Sequence, residues 1–345
     1  MSKRILVTGG TGYIGSHATV ELLQAGYEVV VADSLVNSDI SVLERIEKIT
    51  GKKPYFEKID LCDQLKTKNL FARYPDLNAV MHFAAFKSVN ESIVNPLKYY
   101  TNNLNSLINV LDNMVQYNIN HLVFSSSCTV YGQPDKLPVD ETAQIKRPGS
   151  PYGYTKQISE KIIVDLINSN KKINAISLRY FNPIGAHESA LIGELPQGIP
   201  DNLVPFITQT AAGIRTQLKV FGNDYNTPDG SCIRDYINVV DLAKAHLISI
   251  KRLIENKNKT PHEVFNLGTG KGVTVLEAVK TFEAVTGITV NYFITNRREG
   301  DIEKVWADTS LANKELGWKS DKSLEETLLS AWNWEKYYRE KIEKR

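Results

Sequence analysis

Cysteine is scarce in this sequence, and its scarcity excludes a fold held together by disulfides. Cys62, Cys128 and Cys232 are isolated from one another and form no CxxC pair. They therefore predict neither a disulfide framework nor a metal site. A reducing cytoplasm is the compartment that fits this usage best.

Long apolar runs and an excess of one charge are also missing. No stretch approaches the length of a membrane span, and after Met1 the chain soon enters a short apolar run rather than a signal peptide. Lys and Arg number 41 against 39 Asp and Glu, and the cations form no basic stripe along a domain. The sequence therefore predicts no nucleic-acid partner and no membrane partner, and small molecules are the expected ligands.

What the sequence does contain is an alternation of strands and helices. Ile5–Val7 is an apolar run that ends in a glycine-rich turn, Tyr13–Ala25 has helical spacing, and Glu28–Ala32 is rich in β-branched residues. Strand, helix and strand in this order form a crossover that requires parallel strands. Further strands are predicted, between segments of helix length, at Pro54–Lys58, Ala79–Phe83, His121–Phe124 and Asn174–Leu178. The predicted fold class is therefore α/β, with a doubly wound parallel sheet of the Rossmann type.

The length of the chain, 345 residues with 42% of them apolar, allows two lobes. We place the sheet domain at residues 1–180 and a smaller C-terminal α/β substrate lobe at residues 181–345, where prolines and glycines interrupt the regular alternation. Ile237–Lys251 has the pattern of a strand edge and a helix, and Val264–Leu267 has that of a strand. Segments near 235–260 are therefore expected to return to the first domain.

The turn after the first strand carries the motif Gly10-x-Gly12-x-x-Gly15, and in this setting the motif predicts a dinucleotide site. Gly10 is expected to permit the tight turn, Gly12 to let the backbone approach a pyrophosphate, and Gly15 to let the helix pack closely. N–H groups at the helix N-terminus would bind the anion. Asp33 ends the second strand, where its carboxylate can accept hydrogen bonds from an adenosine ribose and would repel a 2′-phosphate. The sequence therefore favours NAD over NADP.

Tyr152 and Lys156 lie four positions apart at the start of a predicted helix, on one face and one turn apart. The ammonium favours the tyrosinate, and together with a positive nicotinamide ring it would lower the pKa of the phenol, about 10 in water, far enough for general-base chemistry. Ser127 follows an apolar strand and is expected at the carboxyl edge of the sheet, where open α/β sheets bind ligands.

These residues carry a resemblance to known proteins. The glycine motif, the serine cluster and the Tyr-Lys pair together resemble the extended short-chain dehydrogenase/reductase superfamily. More closely, a set of segments in the same order, from the first strand to about Trp318, resembles the UDP-glucose 4-epimerase family. These segments are residues 8–16, 125–132, 179–187, 221–225, 234–236 and 297–301.

The resemblance implies an epimerase of galactose metabolism that inverts C4 of a UDP-hexose while NAD takes up and returns a hydride. Tyr152, aided by Ser127, would remove the proton of the 4-hydroxyl, and a transient 4-keto sugar would turn over in the site while still held by its UDP. UDP-glucose and UDP-galactose are the implied substrates. The implied assembly is a homodimer that uses the helices near residues 96–117 and 152–169.

The residue patterns and the resemblance together predict two sets of site residues. The cofactor set is Gly10, Gly12, Tyr13, Ile14, Gly15, Asp33, Asn37, Ser38, Asp60, Leu61, Phe83, Ala84, Ala85, Lys87, Asn102, Ser127, Tyr152, Lys156 and Tyr180. The substrate set is Lys87, Ser127, Tyr152, Asn182, Asn202, Leu203, Phe221, Arg234, Arg298, Asp301 and Val305. Two members, Arg234 and Arg298, also suit a diphosphate on chemical grounds, because a guanidinium offers forked cationic donors.

Val305 matches a position that varies within the family. A bulky aromatic residue there restricts the 2-substituent of the sugar, whereas a small residue admits an N-acetyl group. Because Val is small, activity on UDP-N-acetylglucosamine and UDP-N-acetylgalactosamine is expected as well.

Three alternatives stay open at this point. Sugar-nucleotide 4,6-dehydratases usually carry an Asp-Glu pair where this chain has Ser127-Cys128-Thr129. Decarboxylases and reductases of the superfamily would cause a net change in NADH. A noncatalytic NAD-sensing protein is the third alternative, although such proteins typically lack the Tyr or the Lys, and this chain has both.

Overall fold

The computed structural model describes residues 3–298 and 301–342. Its strands are β1 Arg4–Thr8, β2 Glu28–Asp33, β3 Tyr55–Lys58, β4 Leu77–His82, β5 His121–Ser127, β6 Asn174–Tyr180, β7 Asn182–Ile184, β8 Leu218–Phe221, β9 Ile233–Arg234, β10 Tyr236–Asn238, β11 His262–Leu267, β12 Val273–Thr274 and β13 Tyr292–Thr295. Its α-helices are α1 Tyr13–Gln24, α2 Val42–Thr50, α3 Gln64–Arg73, α4 Val89–Val94, α5 Pro96–Gln116, α6 Pro151–Ser169, α7 Leu203–Ala211, α8 Val239–Ile254, α9 Val275–Thr286, α10 Ser310–Leu316 and α11 Leu324–Tyr337. A 3₁₀ turn at Cys128–Tyr131 and a π-helical turn at Tyr338–Ile342 complete the described elements.

A seven-stranded parallel sheet in the order β11-β6-β5-β4-β1-β2-β3 forms the centre of the described chain. The inner strands are buried on both faces, and for that reason their sequences are continuous apolar runs rather than alternating ones. Helices α1 and α8 pack together on one face of the sheet, and helices α5 and α6 pack together on the other. The predicted doubly wound α/β fold is confirmed.

Each predicted strand is present, but several end at different residues. Strand β5 continues beyond Phe124 to Ser127, and β6 continues beyond Leu178 to Tyr180, because these residues pair in parallel register with each other. The apolar pattern did not show this extension, because the added residues, Ser125–Ser127 and Arg179–Tyr180, are polar or aromatic. The extension carries Ser127 and Tyr180 to the carboxyl edge of the sheet.

A smaller C-terminal lobe has its own apolar core. Helices α7, α9 and α11 surround three short strand pairs, β7 with β10, β8 with β13 and β9 with β12. Between these elements the chain returns to the first lobe, where α8 packs on α1 and β11 pairs with β6. The division of the chain into domains at residue 180 remains a prediction.

Candidate active site

One cavity of about 1370 Å³ lies at the carboxyl ends of the parallel strands and extends to the C-terminal lobe. Every residue predicted for the site lies in the described ranges, and all of them except Gly10 line this cavity. The fold therefore collects residues from positions 12 to 305 into one space. Its volume exceeds the range of about 300–1,000 Å³ that is usual for a single small ligand.

The glycines of the loop after β1 have partly different roles from those predicted. Gly9, rather than Gly10, adopts the left-handed conformation of the turn, with φ of 68°. A Cβ on Gly10 would lie 2.8 Å from the side chain of Val31, so Gly10 permits close packing on β2. A Cβ on Gly15 would lie 2.2 Å from the carbonyl oxygen of Gly9, so α1 approaches this loop only because Gly15 lacks a side chain.

The N-terminus of helix α1 is suited to a pyrophosphate. Gly12, Tyr13, Ile14 and Gly15 all face the cavity, and within the described residues no side chain caps the helix at Gly12. The first N–H groups of the helix are therefore available to an anion, and the helix dipole favours negative charge there. These residues fit the phosphates of a dinucleotide.

Asp33 ends β2 and already has partners in the protein. Its carboxylate accepts hydrogen bonds from the backbone N–H of Thr11 at 3.2 Å and of Leu35 at 2.9 Å, and from the hydroxyl of Ser38 at 3.1 Å. A carboxylate can accept about four hydrogen bonds. Asp33 can therefore organise the loop and still accept a bond from a ribose hydroxyl.

Helix α6 positions the Tyr-Lys pair. The hydroxyl of Ser150 caps the helix by accepting a hydrogen bond from Gly153 N at 3.2 Å. One turn on, the ammonium of Lys156 lies 5.8 Å from the centre of the Tyr152 ring and donates a 2.6 Å hydrogen bond to the carbonyl oxygen of Ser125. The spacing predicted that the two residues lie on one face of the helix, one turn apart, and the bond to the end of β5 is a second contact that holds Lys156 in place.

In the protein alone, the net effect on the pKa of Tyr152 is an increase, not the predicted decrease. Burial raises this pKa above its ordinary value, and a hydrogen bond with Ser127 opposes the increase. Burial also lowers the pKa of Lys156 to about 8, against an increase from the nearby Glu160 carboxylate. General-base chemistry at Tyr152 therefore needs a further positive charge close to the phenol, and a bound oxidised nicotinamide supplies such a charge.

Other predicted cofactor residues are held by local hydrogen bonds at the cavity. Asp60 accepts a 2.9 Å bond from Cys62 N, and the amide of Asn102 donates a 2.9 Å bond to Asn103. The hydroxyl of Tyr180 shares a short hydrogen bond with Ser125. These bonds fix the direction of each side chain before a ligand binds.

The predicted diphosphate residues form one charged group in the C-terminal lobe. Asp301 lies between two arginines, with its oxygens 3.6 Å from Arg234 Nη2 and 3.9 Å from Arg298 Nε. The guanidinium of Arg298 lies 4.3 Å from the centre of the Phe221 ring. Asp301 and Phe221 thus orient cations that a diphosphate needs. Two residues of the same sequence segment, Glu299 and Gly300, lie outside the described residues.

Val305 lies in the wall of the cavity and is 5% exposed. It packs in an apolar cluster with Val130, Tyr131 and Phe181, and its N–H donates a 3.2 Å hydrogen bond to Ile233. A larger side chain at this position would have to enter the cavity, because the cluster behind it is closely packed.

Sequence reasoning missed a buried polar group that lies next to the site and does not line the cavity itself. Ser126 points away from Ser125 and Ser127 and donates to the buried Glu160, which also forms an ion pair with Arg179 through two bonds of 3.0 and 2.6 Å. The side-chain period of two along a strand would have separated Ser126 from its neighbours.

Two further acids that sequence reasoning missed organise the cavity walls. The carboxylate of Asp235 is buried beside Arg234 and accepts hydrogen bonds from the backbone N–H groups of Thr269, Gly270 and Ala307 at 2.8, 3.2 and 3.1 Å. Glu194 binds Lys87 at 2.7 Å. These partners are distant in sequence, and for that reason local patterns do not reveal them.

Two features are absent from the part of the chain that the structure describes. Among residues 3–298 and 301–342, no group of three or more His, Cys, Asp or Glu side chains is placed to hold a metal ion. Over the same residues, no helix combines the length and the apolar character that crossing a bilayer requires. Cys62, Cys128 and Cys232 are free thiols.

The fold, the glycine loop and the Ser-Tyr-Lys group define a class, the extended short-chain dehydrogenases/reductases that act on sugar nucleotides. A family model described as GDP-mannose 4,6 dehydratase matches residues 6–330. Curated relatives give a narrower result. The UDP-glucose 4-epimerase of Haemophilus influenzae is 47% identical over 332 residues, which cover 96% of this chain and 97% of that protein.

Solved structures agree with this relationship. The UDP-glucose 4-epimerase of Stenotrophomonas maltophila, crystallised with NAD and formylated UDP-arabinopyranose, superposes with a TM-score of 0.94 at 47% identity and covers 98% of this chain and 99% of its own. The enzyme of Bifidobacterium longum in complex with NAD+ and UDP gives a TM-score of 0.93 at 42% identity, with 98% and 99% covered. The chain belongs to the UDP-glucose 4-epimerase family.

Proposed function

We propose that this chain inverts C4 of UDP-hexoses, interconverting UDP-glucose and UDP-galactose, with NAD as a resident cofactor. The observation that carries the proposal is the placement of Tyr152, Lys156 and Ser127 on the same cavity as the glycine loop and Asp33. A proton acceptor and a dinucleotide cradle share that cavity with the paired arginines, Arg234 and Arg298. This combination suits oxidation and reduction of a sugar that is held by a diphosphate.

Each group has a defined task in this reaction. NAD, held by the glycine loop and Asp33, would supply a reversible hydride acceptor for C4 of the sugar. Tyr152, as the phenolate, would remove the proton of the 4-hydroxyl and return it to the same oxygen when C4 is reduced, and Ser127 would hold that oxygen during both transfers. Lys156 keeps positive charge one helical turn from the phenol. Arg234 and Arg298 hold the diphosphate, so the 4-keto sugar turns without leaving and receives hydride on its other face.

The same site has room for N-acetylated sugars, which we propose as further substrates. Val305 faces the cavity with a small side chain, which leaves room for a substituent at C2 of the sugar. UDP-N-acetylglucosamine and UDP-N-acetylgalactosamine are therefore included in the proposal.

The other enzyme classes have less support from the site residues. A 4,6-dehydratase needs an acid to eliminate water, and Ser127-Cys128-Thr129 offers none at the position where dehydratases carry a carboxylate. Burial raises the pKa of the Cys128 thiol to about 12, so this thiol is a poor acid as well. Burial of a charged lysine lowers the stability of the fold. A noncatalytic NAD sensor would gain nothing from a buried lysine beside a buried tyrosine that offsets this cost.

We also propose that the protein forms a homodimer and that it acts in the cytoplasm. Leu97, Leu104, Ile108 and Val115 share one face of α5, and Leu97 is 78% exposed. A second copy of the chain would cover this apolar face, and the free thiols suit a reducing compartment. In sedimentation, Ile108→Glu should give monomers, whereas Leu65→Glu, an equally charged change at an exposed leucine of α3, should leave the dimer intact.

Product analysis tests the proposed reaction. Purified protein is incubated with UDP-galactose and, separately, with UDP-N-acetylgalactosamine, with no NAD added, and the sugar nucleotides are separated. The expected products are UDP-glucose and UDP-N-acetylglucosamine, without net change in NADH absorbance. Accumulation of NADH, or a product that has lost water or CO₂, would replace the epimerase proposal by one of the alternatives.

A further inference from the structure

Glu194 joins Lys87, which is predicted to contact both the cofactor and the substrate, to Asn202, which is predicted to contact the substrate alone. Its Oε1 accepts a 2.7 Å hydrogen bond from Lys87 Nζ and another of 2.7 Å from Asn202 Nδ2. Lys87 belongs to both predicted sets and follows β4 on the cofactor side, whereas Asn202 precedes α7 on the substrate side. A single oxygen atom therefore links the two halves of the cavity.

The backbone of Glu194 is fixed by the C-terminal helix. The indole of Trp334 in α11 donates a 2.9 Å hydrogen bond to the carbonyl oxygen of Glu194. A Cβ on the preceding residue, Gly193, would lie 2.4 Å from the Trp334 ring, so this segment presses against the helix. The carboxylate is thus held at a defined position, with its side chain 9% exposed.

The negative charge of Glu194 makes it unsuitable as a phosphate ligand. The cavity is proposed to bind two diphosphates, and a carboxylate repels both of them. Lys87 is 55% exposed at its side chain and has a long flexible stem, so it loses much conformational freedom when it binds a phosphate. An anchor that already orients the ammonium reduces this loss. Asp301 orients Arg234 and Arg298 in the same way.

We propose that Glu194 is a positioning residue that couples the cofactor site to the sugar-nucleotide site. The proposal rests on the proposed function, because it takes Lys87 as a ligand of NAD and Asn202 as a ligand of the UDP-sugar. Lys87 and Asn202 share one acceptor oxygen of Glu194. When a UDP moiety binds the Asn202 amide, that oxygen is left to Lys87, and the hydrogen bond between Glu194 and Lys87 becomes stronger. Binding of UDP therefore slows the release of NAD.

The test compares NAD release in the presence and absence of saturating UDP. Protein loaded with radiolabelled NAD is mixed with excess unlabelled NAD, and retained label is followed. In the unmodified protein, UDP should slow release about five-fold or more, and in Glu194→Ala by less than about two-fold. Glu194→Gln keeps an acceptor oxygen and should restore most of the effect. Glu188→Gln, an equal charge change at an exposed position of the same segment, should behave as the unmodified protein.

Steady-state kinetics supply a second readout. With UDP-galactose, Glu194→Ala should raise KM about ten-fold and change kcat by less than about three-fold, because Tyr152 and Ser127 are untouched. If the alanine variant does not fold, Glu194→Asp replaces it, since the shorter side chain cannot reach both donors.

The two proposals fail in distinguishable ways. An unchanged UDP effect in Glu194→Ala, or a fall in kcat at constant KM, overturns the role of Glu194. Failure of the unmodified protein to convert UDP-galactose, with UDP still slowing NAD release, overturns the proposed reaction and leaves the coupling intact.

Discussion

The ammonium of Lys156 lies 5.8 Å from the centre of the Tyr152 ring and is tied by a 2.6 Å hydrogen bond to the carbonyl oxygen of Ser125. Its position is therefore set by the end of β5 as much as by the helix that carries both residues. The same strand end provides Ser127, so one sheet edge aligns all three groups of the proposed reaction.

Replacement of Tyr152 by Phe should abolish the proton transfer and leave binding intact. We expect kcat for UDP-galactose to fall about 1,000-fold, which is within the range for loss of a general base. The affinity for UDP, measured by calorimetry, should stay within about two-fold, because the ring volume is kept. Tyr154→Phe, the same change two positions further along α6, is the control. Full activity of the Tyr152 variant would favour a noncatalytic role for the pair.

Lys156→Met should stabilise the cofactor-free protein at pH 7. Burial lowers the pKa of Lys156 from 10.5 to about 8. Below about pH 8 the lysine is protonated in both the folded and the unfolded state, so the folded state carries the full cost of the buried charge. Allowing for the lost hydrogen bond to Ser125, we expect the free energy of unfolding to rise by about 2 kcal/mol in the variant.

This difference should depend on pH with a defined sign. Between about pH 8 and 10.5 the unfolded state binds the proton more tightly, so the unmodified protein gains stability as the pH rises. The gap between the two proteins, measured by urea unfolding at pH 7 and pH 10, should therefore shrink. An equal gap at both pH values would contradict the buried charge.

Glu160→Gln should destabilise the fold through the buried ion pair with Arg179. The side chains of both residues are about nine-tenths buried, and removal of one charge leaves the other without compensation. We expect a loss of about 3 kcal/mol in the free energy of unfolding. Asp165→Asn breaks the exposed pair with Lys161 on the same helix and should cost less than about 1 kcal/mol. Equal effects in urea unfolding would exclude a structural role for the Glu160 pair.

Val305→Tyr should separate the two kinds of substrate. The phenol ring would occupy the space next to C2 of the sugar, and we expect turnover of UDP-N-acetylgalactosamine to fall about 100-fold, with that of UDP-galactose within about three-fold. Val305→Ala should preserve both activities. Equal loss on both sugars in the tyrosine variant would remove the gating role.

The sequence predicted the sheet because its inner strands are continuous apolar runs, and it predicted the Tyr-Lys pair because their spacing is local. Glu194 was not predicted, since its partner Lys87 is 107 positions away and no period relates the two. The left-handed turn at Gly9 was assigned to Gly10, because the motif alone does not show which glycine carries the positive φ. Local patterns therefore specify strands and helices, whereas contacts between the lobes require coordinates.

Strand β11, His262–Leu267, completes the parallel sheet beside β6, although more than eighty residues of chain separate the two. During synthesis, β6 leaves the ribosome before β11 does. One edge of β6 therefore stays unpaired until much of the C-terminal lobe has been synthesised. The unpaired N–H and C=O groups of such a strand edge can form hydrogen bonds with other chains. Truncation before residue 262 should therefore yield an aggregating fragment rather than an isolated nucleotide-binding module.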